Sequence, residues 1–213
     1  MLIESLTDSG NKKSIVKLDN GESFSLYKGE VRLLKLKEGA ELSPAAYEQI
    51  MTVILPKRAK LRAMNLLKVR PYSEYDLTRK LKDGGYPESV ICNAIDYVKS
   101  YGYINDDDYA LNFIKTYSGR KSKKEIYNML SMKGIKKETA DAVFDSIDAS
   151  ADRYPDEAFD ESEIIYKALI KKGATGEESY EDRQKLFAYF YRRGFGTDAI
   201  YKAYDRLHEC HLT

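Results

Sequence analysis

The 213-residue chain has no long apolar segment and only two cysteines. Its longest aliphatic run, Ile50 to Leu55, is interrupted by Thr52, whereas a membrane-spanning helix needs about 20 apolar residues. Residues 1–4 carry neither the basic nor the apolar segment that is typical of a secretory signal. Two cysteines are too few for a disulfide-stabilised secreted scaffold. We therefore expect a cytoplasmic protein that makes no contact with a membrane.

The sequence also lacks the motifs that indicate an enzyme. Neither of the two glycine-rich phosphate-binding loops, GxGxxG and GxxxxGK[ST], is present. His208, Cys210 and His211 could form the beginning of a metal site, but their spacing matches no tetrahedral site and a fourth ligand is missing. We therefore expect no catalytic residue, no bound metal, no cofactor and no nucleotide hydrolysis.

The net charge is only +1, but the charges are arranged in blocks of opposite sign. Residues 57–82 contain nine basic and two acidic residues, a net charge of +7. Residues 120–137 contain seven basic and one acidic residue, and residues 141–163 contain nine acidic and one basic residue. Such blocks allow one surface to face a polyanion while another keeps the protein soluble. Each block is also compatible with a solvated helix face.

The first fifty residues are expected to form a small β-hairpin followed by a helix. Two alternating runs, 14–18 and 23–27, flank the turn signal Asp19-Asn20-Gly21-Glu22. Residues 31–36 are compatible with a third strand or a short helix. Ser43 followed by Pro44 predicts a helix start, and Pro56 is expected to end or kink that helix.

From residue 57 onward the pattern is helical and occurs three times, in the windows 73–98, 122–147 and 182–207. Each window begins with a capping residue, has apolar residues at offsets four and eight, and has a glycine at offset twelve, where a helix is expected to end with positive φ. An amphipathic stretch precedes each window, so the repeating unit is three helices. The capping residues are Ser73, Ser122 and Asp182, and the glycines are Gly85, Gly134 and Gly194.

These repeats predict a mainly α-helical, elongated array of three three-helix repeats behind an N-terminal extension. The joint between the second and third repeats, Asp148 to Glu163, is acidic, contains Pro155, and lengthens the repeat spacing from 49 to 60 residues. We therefore expect the third repeat to move relative to the other two. The predicted segments are the extension at 1–56, the first repeat at 57–104, the second at 105–149, and the acidic joint with the third repeat at 150–213.

Basic residues are the strongest remaining functional signal. Those of the second repeat cluster at a helix start, where side-chain cations and backbone N–H groups together favour a phosphate or a carboxylate. Because a buried unpaired ammonium is costly, at least three of the four residues in this cluster are expected to face solvent or a partner. The candidate contact residues are Arg58, Arg62, Lys68, Arg70, Arg79, Lys80, Lys82, Arg120, Lys121, Lys123, Lys124, Arg192 and Arg193.

Three motifs link the repeats to a known family. The run Arg70-Pro71-Tyr72-Ser73-Glu74-Tyr75-Asp76-Leu77, the run Tyr103 to Ala110, and Leu130-Ser131-Met132-Lys133-Gly134-Ile135 resemble motifs of the RecX family, the bacterial regulators of the RecA recombinase. Asp76 stands where the family usually has Glu. The resemblance covers residues 57–147 closely and 160–207 more loosely. The structural residues of these motifs and of the aligned repeats are Ser73, Leu77, Gly85, Asp106, Tyr109, Ala110, Ser122, Gly134 and Gly194.

The resemblance implies a non-enzymatic protein that binds the filament of RecA on single-stranded DNA. It implies that the protein limits filament growth and the strand-exchange, ATPase and coprotease activities of RecA, with auxiliary contacts to single-stranded DNA; we expect a monomer. Two other functions fit the pattern, a DNA-binding protein built of helix-turn-helix-like units and a helical-repeat scaffold for an unrelated partner. The near-neutral net charge argues against a dedicated DNA-binding protein.

Overall fold

The computed structural model describes residues 1–150 and 158–211, with side chains to residue 209. The described part is mainly helical, with a small sheet near the N-terminus, which confirms the predicted fold class. The chain divides into two compact units, Met1–Asn105 and Asp106–Thr213, called here the N-terminal and the C-terminal unit. No helix within the described ranges is long and apolar enough to cross a membrane.

The N-terminal sheet contains the predicted hairpin and one further strand. The hairpin turn has Gly21 at a φ of 85°, and the Asn20 side chain accepts the Glu22 N–H at 3.0 Å. The additional strand was missed because only its first residue is buried, so it lacks an alternating apolar pattern. The strands are antiparallel in the order β1-β2-β3, with β1 at Ile3–Ser9, β2 at Lys13–Leu18 and β3 at Ser23–Tyr27.

A nearly continuous helical path runs from Pro44 to Leu67 and leads into the first repeat. Ser43 accepts the Ala46 N–H at 3.2 Å, which confirms the predicted helix start. Pro56 does not end the helical path, which continues to Leu67, and the alternative of a kink at Pro56 stays a prediction. A π-helical turn precedes the proline, whose ring then falls in the first turn of the next helix, where no N–H is required. The elements are α1 at Lys28–Leu33, α2 at Pro44–Gln49, the π-helical turn at Ile50–Ile54, and α3 at Leu55–Leu67.

Three groups of three helices follow the predicted repeats in the described part of the chain. The first domain comprises α3, α4 at Glu74–Lys82 and α5 at Glu88–Ser100. The second comprises α6 at Asp106–Tyr117, α7 at Lys123–Ser131 and α8 at Lys137–Ser150. The third comprises α9 at Glu161–Lys171, α10 at Tyr180–Arg192 and α11 at Thr197–His211.

A glycine of positive φ ends the middle helix of each domain, as the aligned windows predict. The φ angles are 77°, 75° and 83° at Gly85, Gly134 and Gly194. In the second domain the Ile135 N–H bonds the Leu130 carbonyl at 3.1 Å, and the Gly134 N–H bonds the Ser131 carbonyl at 2.9 Å. This paired pattern is the Schellman motif, which satisfies carbonyls that the helix end would otherwise leave without partners.

Two of the three predicted helix caps are confirmed and one is wrong. Ser73 and Ser122 cap α4 and α7 through their hydroxyl oxygens. In the third domain the cap is Ser179, whose hydroxyl oxygen accepts the Asp182 N–H at 3.2 Å and donates to the Asp182 carboxylate at 2.9 Å. Helix α10 begins three residues earlier than the offset pattern indicates, so Asp182 occupies the first turn, where an acid suits the helix dipole.

The apolar residues form one core in the N-terminal unit and two in the C-terminal unit. The inner face of the sheet, including Phe24 and Leu26, shares a core with Leu77 and other residues of the first domain. Ala110 lies in the core of the second domain, and Phe159 packs against both cores of the C-terminal unit. The sheet is therefore an integral part of the N-terminal unit.

Candidate functional site

Arg58 joins the N-terminal sheet to the first domain. Its Nη1 donates to the Ser25 carbonyl at 3.2 Å and to Glu30 Oε2 at 2.8 Å. The Ser25 N–H donates to the Gly85 carbonyl at 3.1 Å, so both backbone groups at this edge of β3 are satisfied. This role has no local signature in the sequence, because Ser25 and Glu30 lie 33 and 28 residues away along the chain.

An open groove of about 710 Å³ lies beside Arg58 and is called here the first-domain groove. Strands β2 and β3, helix α3 and the end of α4 form its walls. The Arg58 guanidinium lies 4.0 Å from the centroid of the Tyr27 ring, and Lys13 Nζ lies 5.8 Å from the same centroid. The charged lining residues are Lys13, Arg58, Arg62, Lys80 and Asp83.

The first-domain groove carries an excess of positive charge. Glu30 compensates Arg58, but Lys13, Arg62 and Lys80 form no ion pair with any described residue. Two further Arg58 nitrogens, Nε and Nη2, are buried and have no hydrogen-bond partner among the described residues. Burial raises the pKa of the lining residue Tyr86, and the Arg58 guanidinium opposes that shift. An anionic acceptor in this groove would therefore meet several donors whose charge or hydrogen bonds are not yet satisfied.

The other basic candidates of the first domain lie outside this groove. The Arg70 guanidinium is 4.2 Å from the centroid of the Tyr72 ring. Arg79 Nη2 pairs with Asp76 Oδ1 at 3.3 Å, one turn away on α4. Both arginines therefore have local structural contacts. Lys68 and Lys82 are exposed, at the end of α3 and the end of α4.

Only two of the four basic residues at the start of α7 are exposed. Lys121 forms an ion pair with Glu125, and Lys123 Nζ lies 4.5 Å from the centroid of the Phe144 ring. Both lysines are half-buried, but 31% of the Lys121 side chain is exposed, so the expectation that at least three of the four residues face solvent or a partner stays a prediction. Glu125, one turn along the helix, and the Phe144 ring partly compensate the charges of Lys121 and Lys123. The exposed residues are Arg120 and Lys124.

The start of α7 is also where the second and third domains meet within the C-terminal unit. The Ser122 hydroxyl donates to the Arg193 carbonyl at 2.7 Å. The Glu161 carboxylate accepts the Lys123 N–H at 2.7 Å through Oε1 and the Gly196 N–H at 3.2 Å through Oε2. One carboxylate thus bonds backbone donors at the starts of α7 and α11, a favourable position for negative charge. These contacts form the domain junction.

A shallow pocket of about 330 Å³ adjoins the domain junction. It brings Lys124 of the second domain close to Arg192 and Arg193 of the third, two groups that lie about 70 residues apart in the sequence. Arg193 is half-buried, and its Nη1 donates to the Tyr189 hydroxyl at 3.1 Å. The exposed cations of this junction pocket are therefore Lys124 and Arg192.

In the part of the chain whose side chains are described, no group of three or more His, Cys, Asp and Glu residues could hold a metal ion. His208 Nδ1 lies 3.1 Å from the Gly176 carbonyl oxygen and so contributes to the packing of the third domain. The side chains of Cys210 and His211 lie outside the described residues.

The described elements define a protein of tandem three-helix domains with a small sheet ahead of the first. Models of the first and third three-helix domains of RecX match residues 59–97 and 160–204. The regulatory protein RecX of Caldanaerobacter subterraneus subsp. tengcongensis is 32% identical over 194 residues, which cover 91% of this chain and 92% of that protein. RecX of Clostridium beijerinckii is 30% identical over 85% of this chain and 83% of its own.

Two solved structures share the fold. A crystal structure of regulatory protein RecX superposes with a TM-score of 0.61 at 20% identity, covering 96% of this chain and 98% of that one. RecX from Lactobacillus salivarius superposes with a TM-score of 0.57 at 22% identity, covering 72% and 96%. The chain belongs to the RecX family of regulatory proteins.

Proposed function

We propose that this chain is a cytoplasmic, non-enzymatic regulator of the RecA recombinase. As a monomer it binds the filament of RecA on single-stranded DNA and limits filament growth, strand exchange, ATPase activity and coprotease activity. The observation that carries the proposal is the similarity to regulatory RecX proteins, which extends over nine-tenths of the chain.

The distribution of basic residues supports binding through several separate contacts. The N-terminal unit has the first-domain groove, and the C-terminal unit has the junction pocket with Lys124 and Arg192 exposed. A filament repeats the same protein and DNA surfaces along its length, so contacts that are weak one by one add up as avidity. Such binding does not require a strongly basic protein, in agreement with the net charge of +1.

A binding experiment with three arms tests the proposal. The purified chain is titrated into bare single-stranded DNA, into RecA alone, and into RecA assembled on the same DNA with a non-hydrolysed nucleotide. We expect the tightest binding to the filament and, in a separate assay with ATP, a loss of RecA ATPase activity on DNA that increases with the concentration of the chain. Equal binding to bare DNA and to the filament would favour a DNA-binding protein instead. Absence of binding in all three arms would favour a scaffold for an unrelated partner.

The uncompensated cations of the first-domain groove favour DNA binding as the second candidate function. The ATPase measurement separates the two candidates, because a protein that only competes for DNA should lose its effect once RecA already covers the strand. A regulator of the filament should remain effective when it is added after assembly.

A further inference from the structure

The first-domain groove combines residues from the N-terminal sheet with residues from the first domain. The strand register pairs Lys13 of β2 with Tyr27 of β3, so their side chains lie on the same face of the sheet. Helix α3 contributes Arg58 and Arg62 to the facing wall. Because the sheet supplies one wall, a ligand in this groove would contact the N-terminal extension as well as the helices.

The charges of the groove suit a ligand with more than one negative group. Three cations that lack ion-pair partners among the described residues, Lys13, Arg62 and Lys80, lie in one groove, and the only acid among the described lining residues is Asp83. Like charges held together repel each other, and a polyanion relieves that repulsion. A groove of about 710 Å³ lies within the size range of ligand sites, and several phosphates with the sugars between them fill it better than a lone phosphate.

An aromatic ring stands among these cations. Tyr27 is 42% exposed although Arg58 lies 4.0 Å from its ring centroid. A ring supported in this way by a guanidinium offers a flat surface on which a nucleobase can stack. Stacking requires a base with a free face, which a single strand provides and a duplex does not. An acidic peptide could use the cations, but it would leave this platform without a partner.

We propose that the first-domain groove binds single-stranded DNA, with Lys13, Arg62 and Lys80 contacting phosphates and Tyr27 stacking on a base. The proposal deepens the proposed function and rests on it for its biological purpose, because it places the DNA contact of the regulator on the N-terminal unit. Binding to DNA can nevertheless be measured without RecA.

The test measures the binding of a fluorescent oligothymidylate at several salt concentrations. The variant Lys13→Gln/Arg62→Gln/Lys80→Gln should bind at least about tenfold more weakly at low salt, because it removes three charge-assisted hydrogen bonds to phosphates. Each phosphate bound on a single strand contributes about −0.7 to the slope of log affinity against log salt, so the magnitude of the slope should decrease by about 2.

A matched control removes the same charge from the same unit. Arg32→Gln/Lys35→Gln/Lys37→Gln also replaces one arginine and two lysines, all three exposed and none lining the groove. This control should keep the affinity and the salt slope of the unaltered chain. If the control loses as much affinity as the groove variant, or if the groove variant loses none, the groove proposal is wrong.

Variants at Tyr27 test the stacking contact separately. Tyr27→Ala should weaken binding of the oligothymidylate and leave the salt slope unchanged, because stacking involves no released counterion. Tyr27→Phe keeps the ring and should bind as the unaltered chain does. Equal loss of affinity in both variants, or no loss in Tyr27→Ala, would show that Tyr27 does not stack on a base. Circular dichroism melts of every variant identify any loss caused by misfolding.

Binding to RecA distinguishes the groove proposal from the proposed function. If the groove variant keeps its affinity for oligothymidylate but no longer binds RecA alone, the groove takes an acidic protein segment and the DNA proposal is wrong. If the unaltered chain binds oligothymidylate through the groove but does not bind the filament, the proposed function fails and the groove proposal stands.

Discussion

Gly134 adopts a backbone conformation that a β-branched residue can reach only with strain. Its φ is 75°, and its N–H closes the Schellman motif at the end of α7. We expect Gly134→Val to destabilise the C-terminal unit by at least about 1 kcal/mol, measured by thermal melting. Gly119→Ala is the control, because Gly119 is not among the glycines of positive φ and a Cβ there meets nothing within 4 Å. An unchanged melting midpoint for Gly134→Val would contradict this account of the helix end.

Glu161 is the residue of the domain junction whose loss leaves the most backbone donors without partners. Its two carboxylate oxygens accept N–H groups from Lys123 and Gly196. We expect Glu161→Ala to lower the free energy of unfolding by about 1–3 kcal/mol, since donors at this half-buried junction lose their acceptor. Glu161→Gln keeps one acceptor oxygen, so its free energy of unfolding should lie between those of the unaltered chain and Glu161→Ala. Urea titrations followed by circular dichroism give the values, and equal stability of all three chains would exclude the bridging role.

Tyr204 gives the third domain a pH dependence in the alkaline range. Burial and the hydrogen bond from its hydroxyl to Glu178, at 2.6 Å, raise the pKa of Tyr204 to about 12 from an ordinary value of 10.0. Because the folded pKa lies above the unfolded one, this stabilisation is fully present below about pH 10 and is lost as the pH rises toward 12.

We expect Tyr204→Phe to be about 1 kcal/mol less stable than the unaltered chain at neutral pH. That difference should shrink above about pH 10, and urea unfolding of both chains at several pH values measures it. A difference that stays constant up to about pH 12 would contradict the assignment. Comparing two chains in this way removes the contribution of the other 17 tyrosines.

Local features of single residues could be predicted from the sequence, and distant contacts could not. The caps at Ser73 and Ser122 and the glycine helix ends depend on groups within a few residues. Glu161, in contrast, bonds Lys123 and Gly196, which lie 38 and 35 residues away. The periodicity of the sequence does not indicate which helix N-termini a given carboxylate will contact. The domain junction and the groove at Arg58 could therefore not be predicted from the sequence.

At the scale of elements, the helices of the three domains were predicted well because each contributes apolar residues to a core. The first strand has only Ile3 buried and is held by backbone pairing to β2, a contact that leaves little trace in the side chains. The prediction that the helix could end at Pro56 failed for a related reason. A helix tolerates a proline when the preceding turn widens into a π-helical turn. The sequence of residues 50–54 contains no pattern that predicts such a turn.

The acidic joint between α8 and α9 leads to a prediction about proteolysis. Residues 151–157 lie outside the described residues, so the expected mobility of the joint is still a prediction. Arg153 is the only basic residue between Lys137 and Lys167. We expect brief trypsin treatment to cut after Arg153 and the two fragments to elute together in gel filtration, because the junction bonds at Glu161 and Ser122 remain.

The hydrogen bonds of the junction disfavour the expectation that the third domain moves relative to the other two. Separate elution of the two fragments after the cut at Arg153 would restore it. Protection of Arg153 with cleavage elsewhere would mean that the joint is packed.

At the scale of the whole molecule, the structure changes which residues should be tested for filament binding. Lys121 and Lys123 have contacts within the second domain, so reversing their charge would remove those contacts as well as any contact with the filament. We expect Lys124→Glu/Arg192→Glu to weaken filament binding and to reduce the magnitude of its log–log salt slope by about 0.7 for each phosphate that the variant no longer binds. Lys136→Glu/Lys171→Glu makes the same change in charge at exposed positions outside the junction pocket. If both variants weaken filament binding equally, the junction pocket acts only through the net charge of the protein and makes no specific contact.

The cap of α7 also bears on how the molecule unfolds. Ser122 and Lys123 begin a helix of the second domain, yet their bonds to Arg193 and Glu161 are completed by the third. In a simple linear array each domain could open alone, at the loss of one interface. Here the opening of the third domain removes partners from a helix start of the second. The two domains should therefore denature in a single cooperative transition, and a chain that ends at residue 150 should be less stable than the same residues are within the full chain.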